Sequence, residues 1–188
     1  MTPTPTKSYQ ASNLDRFMKG AQPPVQKKIR KVAKGVVFHE SRKSEPYETC
    51  QLLSSVWWMT APDQKVRYKL SHKNHPSSVW ARQSVRNYLW LLELGFALAR
   101  EYRFRYEKKH KCELVLYELR DMPLPPLPQC AFTPPTPAMP TEYKAASSCE
   151  AYQIYHKQEK RHLFSWKRRD MPDFLKMPFH AELLKRVR

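Results

Sequence analysis

Between residues 66 and 86 the chain carries Arg67, Lys69, Lys73, Arg82 and Arg86 and not one acid. Cations with no local carboxylate to neutralise them are suited to holding a row of phosphates. A second series, Arg100-Glu101-Tyr102-Arg103-Phe104-Arg105-Tyr106, alternates cations with aromatic rings. There Arg103 and Arg105 would neutralise phosphate, and Tyr106 would offer a face for a base to stack on. Trp57, Trp58 and Trp80 are further stacking surfaces, although Trp80 and Trp90 fit an apolar core better. Arg168 and Arg169 add a third basic group near the C-terminal end.

The whole chain leans the same way. Its 188 residues hold 34 Lys+Arg against 17 Asp+Glu, a formal net charge of +17, and a surplus of this size attracts polyanions. Nucleic acid comes first among them, duplex DNA before RNA. An acidic protein, with the proline-rich stretch as an extended ligand, is a third reading. Hydrophobic residues make up 41%, enough for a real core, so wholesale disorder is not expected. The longest strongly apolar stretch, 88–99, still contains Glu93 and falls short of the roughly 18–20 residues that span a bilayer, which argues against an integral membrane protein. Cys50, Cys112, Cys130 and Cys149 form no CxxC pair, so zinc spacings are missing and neither a metal site nor a cofactor is expected. With no apolar N-terminal segment, a reducing compartment fits best: cytosol, nucleus, virion interior or mitochondrial matrix. Nothing in the sequence selects an oligomeric state.

These side chains need elements to hold them. Residues 1–35 read as a flexible basic arm, poor in acids and apolar residues, and Lys27-Lys28-Ile29-Arg30-Lys31 is its densest charge run. It would serve as a nuclear address, an electrostatic arm or plain solvated charge. A first helix is predicted over 44–59, with Ser44 as N-cap, Pro46 in the first turn and an apolar stripe of Leu52, Leu53, Val56 and Trp57. Asn74-His75-Pro76-Ser77-Ser78 reads as a turn entering a helix. The strongest helix is predicted over 78–109, where Val85, Leu89, Leu92, Phe96 and Ala99 make one row and Tyr88, Leu91, Gly95, Leu98 and Tyr102 the next. Eight prolines over 122–140 force an extended crossing. A last helix is predicted over 148–167, and residues 177–188 form a basic tail. The class expected is mainly α: a single compact helical bundle over residues 36–176, with the arm and the proline-rich crossing attached.

The order of motifs carries a resemblance. Glu48-Thr49-Cys50-Gln51-Leu52-Leu53, His72-Lys73-Asn74-His75-Pro76-Ser77-Ser78-Val79-Trp80-Ala81-Arg82, Asn87-Tyr88-Leu89-Trp90-Leu91 and Glu101-Tyr102-Arg103-Phe104-Arg105-Tyr106 resemble a family of small proteins of tailed phages and large DNA viruses. Ala138-Met139-Pro140-Thr141-Glu142-Tyr143-Lys144 and Glu150-Ala151-Tyr152 extend the likeness, which spans about 36–176. That family is similar, more distantly, to pyrimidine-dimer DNA glycosylases of the phage endonuclease V type.

The resemblance implies a helical protein that works on DNA bases. A helix-borne carboxylate beside an amine nucleophile would act at the sugar C1′, and by motif it falls on Glu48, with Asn74 and His75 in the adjoining turn. The enzyme chemistry would need a flipped nucleotide, an amine that forms a Schiff base, and a carboxylate to position the amine or stabilise the sugar cation. Thr2 (once Met1 is removed), Lys43, Lys69 and Lys73 are the amines on offer. Where the family places a His and a Lys upstream of the Glu, this chain has Ser41 and Ser44. Two functions therefore stand side by side: a base-excising enzyme, and a non-catalytic nucleic-acid-binding protein on a glycosylase-like scaffold. Without an enzyme role, Glu48 would be a first-turn helix carboxylate pairing with Arg42 or Lys43, and His75 a helix-entrance residue.

Overall fold

The computed structural model describes residues 45–163, 168 and 170–176. Among them are six α-helices and no strand: α1 (Glu45–Thr60), α2 (Pro76–Ala81), α3 (Val85–Tyr106), α4 (Cys112–Asp121), α5 (Ser148–Glu159) and α6 (Asp173–Lys176). Single 3-10 turns lie at Thr141–Tyr143 and Arg161–Leu163. The mainly α class expected from the sequence is what forms. The basic arm, the C-terminal tail, Ser41 to Ser44 and Arg169 lie outside the described residues.

α3 is the hub, because two adjacent apolar rows give it a buried face wide enough to take neighbours on several sides. Val85, Tyr88, Leu89, Leu92, Phe96, Ala99 and Tyr102 are all buried, and α1, α2 and α4 pack against this helix. Gly95 permits the closest approach. A Cβ placed there would meet a Leu116 methyl of α4 at 2.7 Å and the Thr49 methyl of α1 at 3.1 Å. The three helices therefore converge at a point where only a hydrogen atom fits.

The single helix expected over 78–109 is corrected to two. α2 stops at Ala81, and the chain turns through Arg82, Gln83 and Ser84 before α3 begins. Ser84 causes the restart: its backbone is extended and its hydroxyl accepts the Asn87 N–H at 3.1 Å, the N-cap bond that supplies an orphan donor with a partner. At the far end Glu107 takes a left-handed conformation (φ 53°) and its N–H reaches the Arg103 carbonyl, so the helix ends at Tyr106 rather than at Lys109.

α4 was not expected from the sequence pattern. Cys112, Val115, Leu116 and Leu119 nevertheless recur at helical spacing and are buried. Exposed Leu114 and Tyr117 place apolar residues on the outer face too, which blurs the stripe. α5 is also shorter than the helix predicted over 148–167, ending at Glu159.

The proline-rich crossing is extended, as eight prolines require, and it is tied down. Pro128 accepts the Val85 N–H at 3.0 Å, while Leu127 is buried in the core. Asn87, fully buried on α3, donates to the Trp80 carbonyl (3.0 Å) and the Thr133 hydroxyl (2.9 Å) and accepts the Thr133 N–H (3.0 Å). The Trp80 indole donates to the Thr133 carbonyl at 3.0 Å. Phe132 lies against Trp80 and Trp90 in a three-ring cluster. Trp80 and Trp90 are thus core residues. One buried amide holds a segment that has no secondary structure of its own.

Candidate nucleic-acid interface

The acid-free stretch folds as an irregular segment laid along α1. Two serines that a helix would ordinarily expose are buried there, and one explains how the segment is held. Ser55 donates to the Ser71 carbonyl at 2.6 Å and accepts the Ser71 N–H at 3.1 Å. The Trp58 indole donates to the Tyr68 carbonyl at 2.8 Å, and the Tyr68 ring meets Tyr47 edge-on at 5.1 Å. Tyr68 and Ser71 thereby point inward, and Lys69, Leu70, Lys73, Asn74 and His75 are exposed. Trp58 and Tyr47 flank the segment, each more than a third exposed.

The entrance to α2 fixes the other side. His75 is the N-cap: its Nδ1 accepts the Ser77 N–H at 3.2 Å, and Pro76 suits the first helical position. His75 therefore does a capping job, with its ring still reaching solvent. Arg82 donates to the Lys73 carbonyl at 2.8 Å and to the Ser78 hydroxyl at 3.3 Å, which pins the turn that carries Lys73 and Asn74. Arg86 is exposed in the first turn of α3. Among the described residues Lys69, Lys73 and Arg86 are paired with no carboxylate. Lys65, just upstream and also exposed, belongs with them; the acid-free count began one residue too late to include it.

The other sequence candidates divide from this group. Arg67 is held by Glu118 of α4 through two N–H groups, Nε to Oε2 at 3.0 Å and a second bond to Oε1. The partnership pulls the Glu118 carboxyl below its ordinary range. Arg103 is bound by Glu113, and Arg168 by Glu107 at 2.5 Å. Arg105 is the clearest correction: its side chain has no solvent exposure and is paired with Glu101 at 2.8 Å, so it cannot meet a phosphate. Arg100 pairs with Glu93 at 3.0 Å. The alternating Arg/aromatic series is internal bracing. Its outward cations are already neutralised by glutamates that the sequence places elsewhere.

Two of the aromatic candidates are also internal. Trp57 is buried and donates to the Tyr88 hydroxyl at 3.0 Å. Tyr106 is half-buried and lies on Tyr102, ring centroids 4.7 Å apart. Trp58 alone among the tryptophans proposed for stacking combines exposure with a place beside the basic segment.

Glu48 is exposed on α1, one residue after Tyr47. Among the described residues no hydrogen bond or ion pair joins it to Asn74, His75, Lys69 or Lys73. Glu48 lies beside Tyr47, which meets the Tyr68 ring, and about 10 Å along the helix from Ser55, where the segment is hydrogen-bonded to α1. Its proposed partners Arg42 and Lys43, and the amine of Thr2, lie outside the described residues. No group of His, Cys, Asp and Glu among the described residues is arranged to hold a metal ion. No described helix is long and apolar enough to cross a membrane. Comparison with protein-family models, curated proteins and solved structures yields no match to this chain.

Proposed function

We propose that the protein binds nucleic acid, duplex DNA first, through the acid-free segment between residues 65 and 86. The reading rests on one observation: Lys65, Lys69 and Lys73 on the segment fastened to α1, and Arg86 at the start of α3, are exposed and have no carboxylate partner among the described residues. Cations fixed on a braced backbone lose little freedom on meeting a phosphate row, and the absence of acids leaves no local competitor. Trp58 and Tyr47 beside them supply faces for unpaired bases at a frayed or flipped site. The scaffold's glycosylase ancestry belongs to the same proposal and comes from the motif resemblance. Competition between duplex DNA, single-stranded DNA and double-stranded RNA of equal length separates the substrates. Duplex DNA should win, and a preference for RNA would overturn that choice.

Base excision is the second reading, and Glu48 supplies the observation that favours it. Glu93, Glu101, Glu107, Glu113 and Glu118 each hold an arginine, whereas Glu48 is exposed and holds none among the described residues, which do not include Arg42 and Lys43. In such an enzyme an amine attacks C1′, the base leaves with a proton, and the opened sugar becomes an imine that borohydride reduces to a stable adduct. A trapped adduct on abasic or modified duplex that vanishes in Glu48→Gln supports catalysis. No adduct on any such substrate leaves the binding function alone.

A further inference from the structure

Cys50 of α1 and Cys112 at the start of α4 meet in the core, both essentially without solvent exposure. Cys50 Sγ donates to the Cys112 carbonyl oxygen at 3.7 Å, which brings the two side chains close enough to perturb each other. The Tyr68 hydroxyl stands 3.4 Å from Cys112 Sγ, and His110 Nδ1 accepts the Cys112 N–H at 3.1 Å. Cys112 is thus ringed by Cys50 from α1, Tyr68 from the basic segment and His110 from the turn before α4. Tyr88 of α3 is the ionisable group behind Cys50, kept neutral by its burial.

This ring separates the two sulfurs chemically. The neighbouring Cys50 side chain does most to hold the Cys112 thiol below the ordinary thiol range, with His110 and Tyr68 helping and burial opposing. Cys50 is pushed the other way by Cys112 and by its burial, so it keeps its proton. A thiolate beside a protonated thiol is the arrangement that oxidises stepwise to a disulfide. Tyr68 and His110, both half-buried, are the neighbours of the Cys112 sulfur that reach the surface.

We propose that Cys50 and Cys112 form a dithiol that a hydroperoxide converts reversibly into a disulfide joining α1 to α4. The Cys112 thiolate attacks one peroxide oxygen: an S–O bond forms, the O–O bond breaks, and the departing oxygen takes a proton from solvent. The Cys50 sulfur then attacks the resulting sulfenic acid. The S–S bond forms, the S–O bond breaks, and the hydroxyl leaves with the Cys50 proton as water. The two sulfurs give up two electrons and the peroxide accepts them.

The test uses the full chain with the exposed Cys130 and Cys149 both changed to Ser, treated with hydrogen peroxide, alkylated and peptide-mapped. The result expected is loss of two hydrogens and a Cys50–Cys112 linked peptide, reversed by a thiol reductant. The rate should rise far less than about fiftyfold from about pH 6.5 to 8.5, the gain in thiolate of an unperturbed thiol over that range. Tyr68→Phe, which keeps the ring and removes the donor, should move the acid limb of that profile upward. Peroxide treatment that leaves both thiols free to alkylate, or carries Cys112 to a sulfinic acid without the link, overturns the proposal. So does a rate that climbs with pH as for an ordinary thiol.

Discussion

Arg67 and Glu118 stand 51 positions apart and close a two-point ion pair between the basic segment and α4. The pair takes one cation of the acid-free stretch out of competition for phosphate and secures the start of the segment, four residues before Ser71. It also divides the nine basic candidates read from the sequence. Among the described residues Arg67, Arg103, Arg105 and Arg168 are committed to glutamates and Lys69, Lys73 and Arg86 are free of them, while Arg169 lies outside those residues. Arg82 is bound to the backbone that carries Lys73.

Releasing Arg67 should therefore strengthen binding. Glu118→Gln keeps the side-chain shape and removes the competing charge. The slope of log affinity for duplex DNA against log salt should steepen by about 0.9, one phosphate contact. A slope unchanged in Glu118→Gln would place Arg67 away from the bound strand.

Arg105 should behave in the opposite way. Removing one member of a buried ion pair leaves the other charge uncompensated, at a cost of about 3–5 kcal/mol. Arg105→Met should lower the urea unfolding midpoint sharply, and adding Glu101→Leu should recover much of the loss. The double variant should bind DNA with the salt slope of the parent, which a phosphate-contacting Arg105 would not permit.

The proline-rich crossing should depend on Asn87. Asn87→Ala strands the Thr133 N–H and should cost about 1–3 kcal/mol in equilibrium unfolding. Limited proteolysis between residues 129 and 140 should accelerate in the same variant. Unchanged cleavage would mean that Phe132, packed on Trp80 and Trp90, suffices to hold the segment.

Acidification should loosen α5. Burial, with Lys160 nearby, lowers the His156 pKa, so the folded chain holds the ring neutral where an unfolded chain would protonate it. The stability this gives is present above the ordinary histidine range and is lost as pH falls through it toward the folded value. Amide exchange in α5, corrected for intrinsic rate, should rise from pH 7 to 5, and His156→Phe should abolish the rise.

What the sequence shows depends on how local its cause is. α1, α3 and the crossing are legible because apolar rows and prolines act within a few residues. The break at Arg82-Gln83-Ser84 was hidden because these residues also suit a helix interior, although Ser84 three residues before Asn87 has N-cap spacing. α4 was masked by Leu114 and Tyr117 on its outer face. At the site, the pairing of Arg105 with Glu101 four residues earlier was open to inspection. The partnerships of Arg67 with Glu118 and of Arg168 with Glu107 were not, because only the packed fold brings those side chains together.

The most direct measurement is a salt titration of duplex DNA binding by the full chain and by a Lys69→Ala, Lys73→Ala, Arg86→Ala triple variant. With six phosphates held in all, affinity of the parent should fall about a thousandfold between roughly 50 and 200 mM salt. The variant should lose close to three units of slope at about 0.9 per contact while keeping the parent's unfolding midpoint. A flat response in the parent, or equal slopes in parent and variant, would contradict the assignment of the segment between residues 65 and 86 as the phosphate-binding surface.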